Sequence, residues 1–339
     1  MPRPDSKPAI VVGMDGSDNG LRALDWAVGE AARRRARVRM VHAYQRSGVR
    51  RHLSPQANMV EMYDEGQEVF TSARSHLAGD RHASRVVGTA LYEGRPNDVL
   101  TDACARSPLC VVGRRGRGRV ASRVLGSTST ALAAESAIPL VVVPPEWEPA
   151  RDDGRPVLVG VDIPPRDTAV LDFAFAAARQ ASAPLVALCA WDLDAPADHD
   201  LGNAAWDVGA ATGTDLRSAL GDVLGEILAP WRSRFPDVDV TVAIEHAHPA
   251  PTLVAHGEQA RLLVLGTTTH PPHPGFTSLA VPAFGVGDRT HGAVVRAVLR
   301  GATVPAAVIP GTRVDGQAQR AGYFARTSFS RSTNASESS

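Results

Sequence analysis

Cysteine is almost missing from the 339 residues: Cys104, Cys110 and Cys189 are the only three. So few and so scattered, they exclude a disulfide framework and a cysteine-rich zinc site. Each lies in an apolar stretch, where a small core residue belongs. Aromatics are equally sparse, at 5% against 44% apolar residues in all. Ala, Val and Leu dominate, which is the profile of compact α/β layers. Charge of one sign is lacking too. Lys and Arg number 36, as do Asp and Glu, so no global field draws the chain to nucleic acid or an anionic membrane. No apolar run approaches the roughly 20 residues that cross a bilayer. Met1 to Pro8 is polar, without the apolar stretch of a secretory signal. A soluble, cytoplasmic protein is the expectation.

What the sequence does have is a repeat, and a repeat fixes architecture before any local reading. Residues 9–44 align without a gap onto 156–191: VVGMDGS from Val11 on LVGVDIP from Leu158, and VRMVHAY from Val38 on LVALCAW from Leu185. Further on, CVVGRRG from Cys110 matches LVLGTTT from Leu263, and IPLVVVP from Ile138 matches VPAAVIP from Val304. Each copy alternates strands and helices. Ala9 to Met14 is a continuous apolar run, as in a parallel strand covered on both faces. Ser17 suits a helix N-cap, and Leu21, Leu24, Val28 and Ala31 form one helical stripe. The Arg33–Arg35 run closes that helix as a solvated face. Strands follow at 37–43, 84–91, 109–113 and 139–143, with helices at about 57–79, 96–106 and 126–136. Strand–helix alternation of this kind predicts a doubly wound parallel sheet.

The spacing divides the chain into a tail at 1–8, a first domain at 9–144, a linker at 145–154, a second domain at 155–310, and a disordered tail at 311–339. In an open α/β sheet, ligands bind beyond the carboxyl ends of the strands. Asp15-Gly16-Ser17, His42-Ala43-Tyr44 and the stretch from Gly113 to Ser129 converge there. Gly113 and Gly116 let main-chain N–H groups approach an anion. Gly126-Ser127 opens a helix whose first N–H groups suit a phosphate, with the hydroxyls of Ser127, Thr128 and Ser129 beside them. The same residues also suit a surface loop with capping serines. Arg114, Arg115, Arg117 and Arg119 fit a polyphosphate. They fit RNA less well, since no aromatic lies among them to stack a base.

Gly-x2-Gly-x9-Gly-Ser, met by Gly113, Gly116, Gly126 and Ser127, resembles the pattern of ATP-binding universal stress proteins. VVGMDGS, VHAY and IPLVVVP resemble the same family at matching places, strongly over 9–144 and more weakly over 155–310. The resemblance implies two tandem Rossmann-like domains of the adenine nucleotide alpha hydrolase-like kind, each a five-stranded parallel sheet with helices on both faces. It implies ATP and Mg²⁺ as ligands. Asp15 would lie at the ribose or metal–phosphate region, the Ala43 backbone at the adenine edge and Val112 in the base pocket. Gly113, Gly116, Gly126, Ser127, Thr128 and Ser129 would hold the triphosphate.

The second copy departs from the pattern. Ile163-Pro164 replaces Gly-Ser, Thr269 stands where the second glycine should be, and Ala293 follows Gly292 in place of the serine. Its loop runs 23 positions from Thr269 to Gly292, against 10 from Gly116 to Gly126, and holds Pro271, Pro272, Pro274 and Pro282. His270 and His273, without an acidic or thiol companion, make a weak metal motif. No Walker loop, kinase HRD or DFG set, pyrophosphatase Ser-Gly-Gly-x-Asp loop or HIGH-like motif is present. Binding is therefore favoured over turnover. Three readings stand: a nucleotide-responsive regulatory protein in stress or dormancy with a protein partner still to be named, a weak ATPase or autophosphorylating enzyme, and a dimerising scaffold with a residual site. Leu140–Val143 and Ala306–Ile309 are apolar edge strands that predict either a homodimer or an intrachain pseudo-dimer.

Overall fold

The computed structural model describes residues 9–45, 55–116, 125–149, 154–163, 168–191, 213–267 and 292–311. The first repeat runs β1 (Ala9–Gly13), α1 (Asp18–Arg34), β2 (Arg37–Tyr44), α2 (Pro55–His76), β3 (Val86–Glu93), α3 (Pro96–Cys104), β4 (Cys110–Gly113), α4 (Ser127–Glu135) and β5 (Leu140–Val143). The second runs β6 (Val157–Gly160), α5 (Ala169–Ala181), β7 (Leu185–Trp191), α6 (Gly213–Arg234), β8 (Val240–His246), α7 (Pro249–Gly257), β9 (Leu262–Thr267), α8 (Ala293–Gly301) and β10 (Ala306–Pro310). Both tails, Arg117 and Arg119, and the Pro/His-rich segment with Thr269, His270 and His273 lie outside the described residues.

All ten strands form one sheet in the order β3-β2-β1-β4-β5-β10-β9-β6-β7-β8. Within each repeat the pairing is parallel and the order is that of a doubly wound α/β fold. The repeats join where β5 and β10 pair antiparallel, with Val142 opposite Ala306 and Leu140 opposite Val308. The two apolar edges thus cover each other inside one chain, and the intrachain arrangement is the one adopted.

Alternate residues of a central strand face opposite sides, and each side has its own core. Ile10 and Val12 join α1, α2, α5 and α6 on one face, through Leu24, Phe70, Phe175 and Leu228. Val11 joins α3, α4, α7 and α8 on the other, through Leu100, Leu132, Leu253 and Val298. Both cores draw residues from both repeats, so the junction is packed above and below as well as hydrogen-bonded. Cys104, Cys110 and Cys189 are all buried.

Duplication extends to strained backbone. Among the described residues, only Arg35 (φ 52°) and Ser182 (φ 48°) are non-glycine residues at positive φ. They occupy matching positions at the C-caps of α1 and α5, where each cap N–H bonds back into its helix.

Of the Arg33–Arg35 run, Arg35 is exposed as the sequence suggests, but Arg33 and Arg34 are not part of a solvated face. Arg33 and Arg34 both bond to Glu30, which is buried, and the Arg34 guanidinium lies 5.1 Å from the Phe173 ring centre in the other repeat. The segment after β5 is likewise more than a linker, because Trp147 packs on the core.

Candidate functional site

The strand order reverses between β1 and β4, and in open α/β sheets the carboxyl edge at such a reversal is where a ligand crevice lies. Asp15 follows β1. Its Oδ1 accepts from the Ser17 N–H (3.0 Å) and the Ser17 hydroxyl (2.6 Å). Ser17 in turn caps α1, its Oγ accepting from the Gly20 N–H at 3.0 Å. One carboxylate is therefore fixed at the start of α1 by the helix's own cap.

The β4–α4 loop comes to meet it. A Cβ on Gly116 would overlap Asp15 Oδ2, so a larger residue here would have to push the carboxylate or the main chain aside. A Cβ on Gly113 would stand 2.9 Å from the Asn19 carbonyl oxygen. At the far end of the loop, the Gly126 N–H donates to the Arg114 carbonyl (2.9 Å). Gly126 caps α4 without a side-chain bond, leaving the helix's first amides to a ligand or to water.

Two residues hold this together that the sequence reading passed over or misjudged. Buried Asn19 bridges three segments: its Nδ2 donates to the Val143 carbonyl and its Oδ1 accepts from the Arg115 N–H, both at 3.0 Å. Arg114, grouped above with the phosphate-facing arginines, turns away from the crevice. It is 3% exposed, and its Nη1 donates to the carbonyls of Ala302 (2.7 Å) and Arg300 (3.3 Å) in the second repeat. Its Nη2 donates to Glu146 at 2.5 Å. Burial pulls this guanidinium down from its ordinary value and Glu146 pushes it back up; an arginine remains charged regardless. The Arg114 Nε is buried without a hydrogen-bond partner, as are both Nε and Nη2 of Arg115.

The remaining candidates divide. Ser127 is exposed and Thr128 half-buried at the start of α4. Ser129 is buried, and its hydroxyl donates to the carbonyls of Arg114 and Gly126, both at 3.0 Å. Its one proton is shared between the end of β4 and the start of α4. Ala43 is half-buried on β2 opposite Tyr92, and Val112 is buried on β4. Beside Ala43, the His42 Nδ1–H donates to the Met14 carbonyl at 2.7 Å, which assigns the ring proton because a carbonyl only accepts.

In the second repeat the carboxyl edge is built otherwise. A Cβ on Gly266 would stand 3.8 Å from the Val170 Cβ, an ordinary contact, where Gly113 meets Asn19. α5 begins at Ala169 after a Thr168 cap that makes no side-chain bond.

A ten-stranded sheet of two doubly wound halves, joined through their last strands, defines a class of paired Rossmann-like chains. Comparison with known proteins narrows the class. The model described as the universal stress protein family matches residues 8–144 and again 154–310, and the chain belongs to that family. It is 31% identical over 305 residues to a universal stress protein of Mycolicibacterium smegmatis, covering 88% of this chain and 96% of that one. It is 28% identical over 313 residues to one of Mycobacterium tuberculosis, covering 88% and 97%. The crystal structure of a universal stress protein from Archaeoglobus fulgidus superposes with a TM-score of 0.60 at 16% identity, covering 91% of this chain and 98% of that one, a likeness of fold. No described helix is long and apolar enough to cross a membrane.

Proposed function

We propose that the first repeat binds ATP with Mg²⁺ and that the chain is a nucleotide-responsive regulator in a stress or dormancy response. The observation that carries this reading is the packing of Gly116 on the Asp15 carboxylate at the crevice mouth. A main chain that close to an acid makes a cradle with no side chain in the way. The chemistry of the donor set fits a polyphosphate. The first amides of α4 and the exposed Ser127 hydroxyl would take phosphate oxygens, and Arg115 has two buried donors to spare. The Ala43 backbone would meet the adenine edge, Val112 would line the base pocket, and Asp15 would hold the ribose or the metal–phosphate region. Ser129 would serve by tying Arg114 to Gly126.

The described residues contain no cluster of three metal-ligating side chains. A Mg²⁺ ion would therefore travel on the phosphates with its waters, which suits its reluctance to dehydrate. The second repeat would be structural or regulatory. The test is calorimetric titration of the nucleotide-stripped chain with Mg–ATP, beside Gly116→Val. One site per chain in the wild type, lost in the variant, is the expected result. A wild-type chain that takes up no nucleotide retires the reading.

A further inference from the structure

We propose that Arg114 makes the second repeat part of the first repeat's nucleotide site, as a positioning residue that holds the end of β4 against the start of α4 while α8 is docked. The inference rests on the nucleotide reading above. Arg114 is the one described residue whose backbone belongs to the loop and whose side chain belongs to the other repeat. Its N–H donates to Val143 at 2.8 Å, and its carbonyl receives the Gly126 N–H and the Ser129 hydroxyl. Both ends of the loop thus meet on a single peptide unit. Its guanidinium satisfies the Arg300 and Ala302 carbonyls where α8 ends. Helix C-termini leave such carbonyls unpaired and favour a cation.

Burial gives this crossing its force. A buried guanidinium stripped of its partners is strongly unfavourable, so the side chain stays in its slot only while α8 stays docked, and its backbone is held accordingly. Among the described residues the second repeat makes no matching link at the equivalent position. The matching position in the second repeat is Thr267, whose hydroxyl donates to Ile309 in its own repeat at 3.3 Å. The other crossing described above, Arg34 on Phe173, touches no part of the loop. It supplies the control.

The experiment uses the full chain as wild type, Arg114→Met and Arg34→Met. Mg–ATP affinity is read by calorimetry, and amide hydrogen exchange is followed over 125–133 and 293–304 with and without nucleotide. Arg114→Met should weaken Mg–ATP about tenfold, a coupling of ordinary size, and speed exchange over 125–133. Nucleotide should protect 293–304 in the wild type and not in Arg114→Met, while Arg34→Met keeps wild-type affinity. Wild-type affinity in Arg114→Met overturns the proposal, as does an equal loss in Arg34→Met, which would make the effect one of general packing. If the wild type binds no nucleotide, the nucleotide reading falls. The nucleotide-free exchange over 125–133 then decides the positioning role: faster in Arg114→Met alone upholds it, and unchanged exchange overturns it. Should Arg114→Met fail to fold, Arg114→Gln takes its place, since its shorter, uncharged amide has two N–H donors for three acceptors and no charge to set against Glu146. Wild-type affinity in that variant overturns the proposal equally.

Discussion

Asn19 shows how far one side chain carries the site. Its amide satisfies the Val143 carbonyl and the Arg115 N–H, partners 124 and 96 positions away. Asn19→Ala would strand the Arg115 N–H, while the Val143 carbonyl would keep the Arg114 N–H as a donor, and an unsatisfied buried group costs about 1–3 kcal/mol. We expect a loss of about 2 kcal/mol in urea unfolding, together with weakened Mg–ATP binding. Glu30 gives a prediction in pH. Burial pushes its carboxyl up, but Arg34 and Arg33 more than offset that, and the net shift is downward from the ordinary 4.5. A depressed folded value means the contribution is complete above the ordinary value and is lost as pH falls through the folded one. The stability gap between wild type and Glu30→Gln should therefore be flat above about pH 5 and close on further acidification. A gap that widens with acid would contradict the pairing. Neither residue was legible in the sequence as a structural keystone. Asn19 reads as a helix-opening polar residue, and Glu30 as an exposed charge, until distant partners are known. Arg114 misled for a related reason: an arginine in a glycine-rich loop looks like a phosphate ligand, and nothing local records that its carbonyl partners lie in α8.

At the scale of elements the sequence was more forthcoming. Apolar runs such as Ala9–Gly13, the α1 stripe and the glycines that punctuate them place every strand of the first repeat within about two residues of its observed position, because period and capping are local properties. The α1 and α5 C-caps were not foreseen, since neither Arg35 nor Ser182 is a residue that favours positive φ. Relieving that strain with glycine gains about 1–2 kcal/mol, against an entropic loss of about 0.5–1 kcal/mol. Ser182→Gly should accordingly stabilise the chain slightly, by about 0.5 kcal/mol, as a small rise in the urea midpoint. Arg35→Gly tests the same cap in the other repeat.

For the whole molecule, the open question in the sequence was which apolar edge pairs with which, because Leu140–Val143 and Ala306–Ile309 suit a neighbour in the same chain or another. The antiparallel β5–β10 register answers it within the chain. Severing the repeats should therefore expose a bare edge on each. A fragment ending at residue 149 is expected to associate through β5, its sedimentation coefficient rising with concentration in sedimentation velocity. A fragment that stays monomeric unaided would show the edge to be protected by some other means.

That junction has an evolutionary consequence. In a homodimer of identical domains, every substitution appears twice, and a change that suits one copy is imposed on its mate. Tethering the two halves lifts the constraint, so one carboxyl edge can keep Asp15 facing Gly116 while the other accumulates Ile163 and Thr267 at no cost to it. The strands of the two repeats also run in opposite directions across the shared sheet. Their carboxyl edges open on opposite sides of the molecule, and the diverged side is free to take up a different trade.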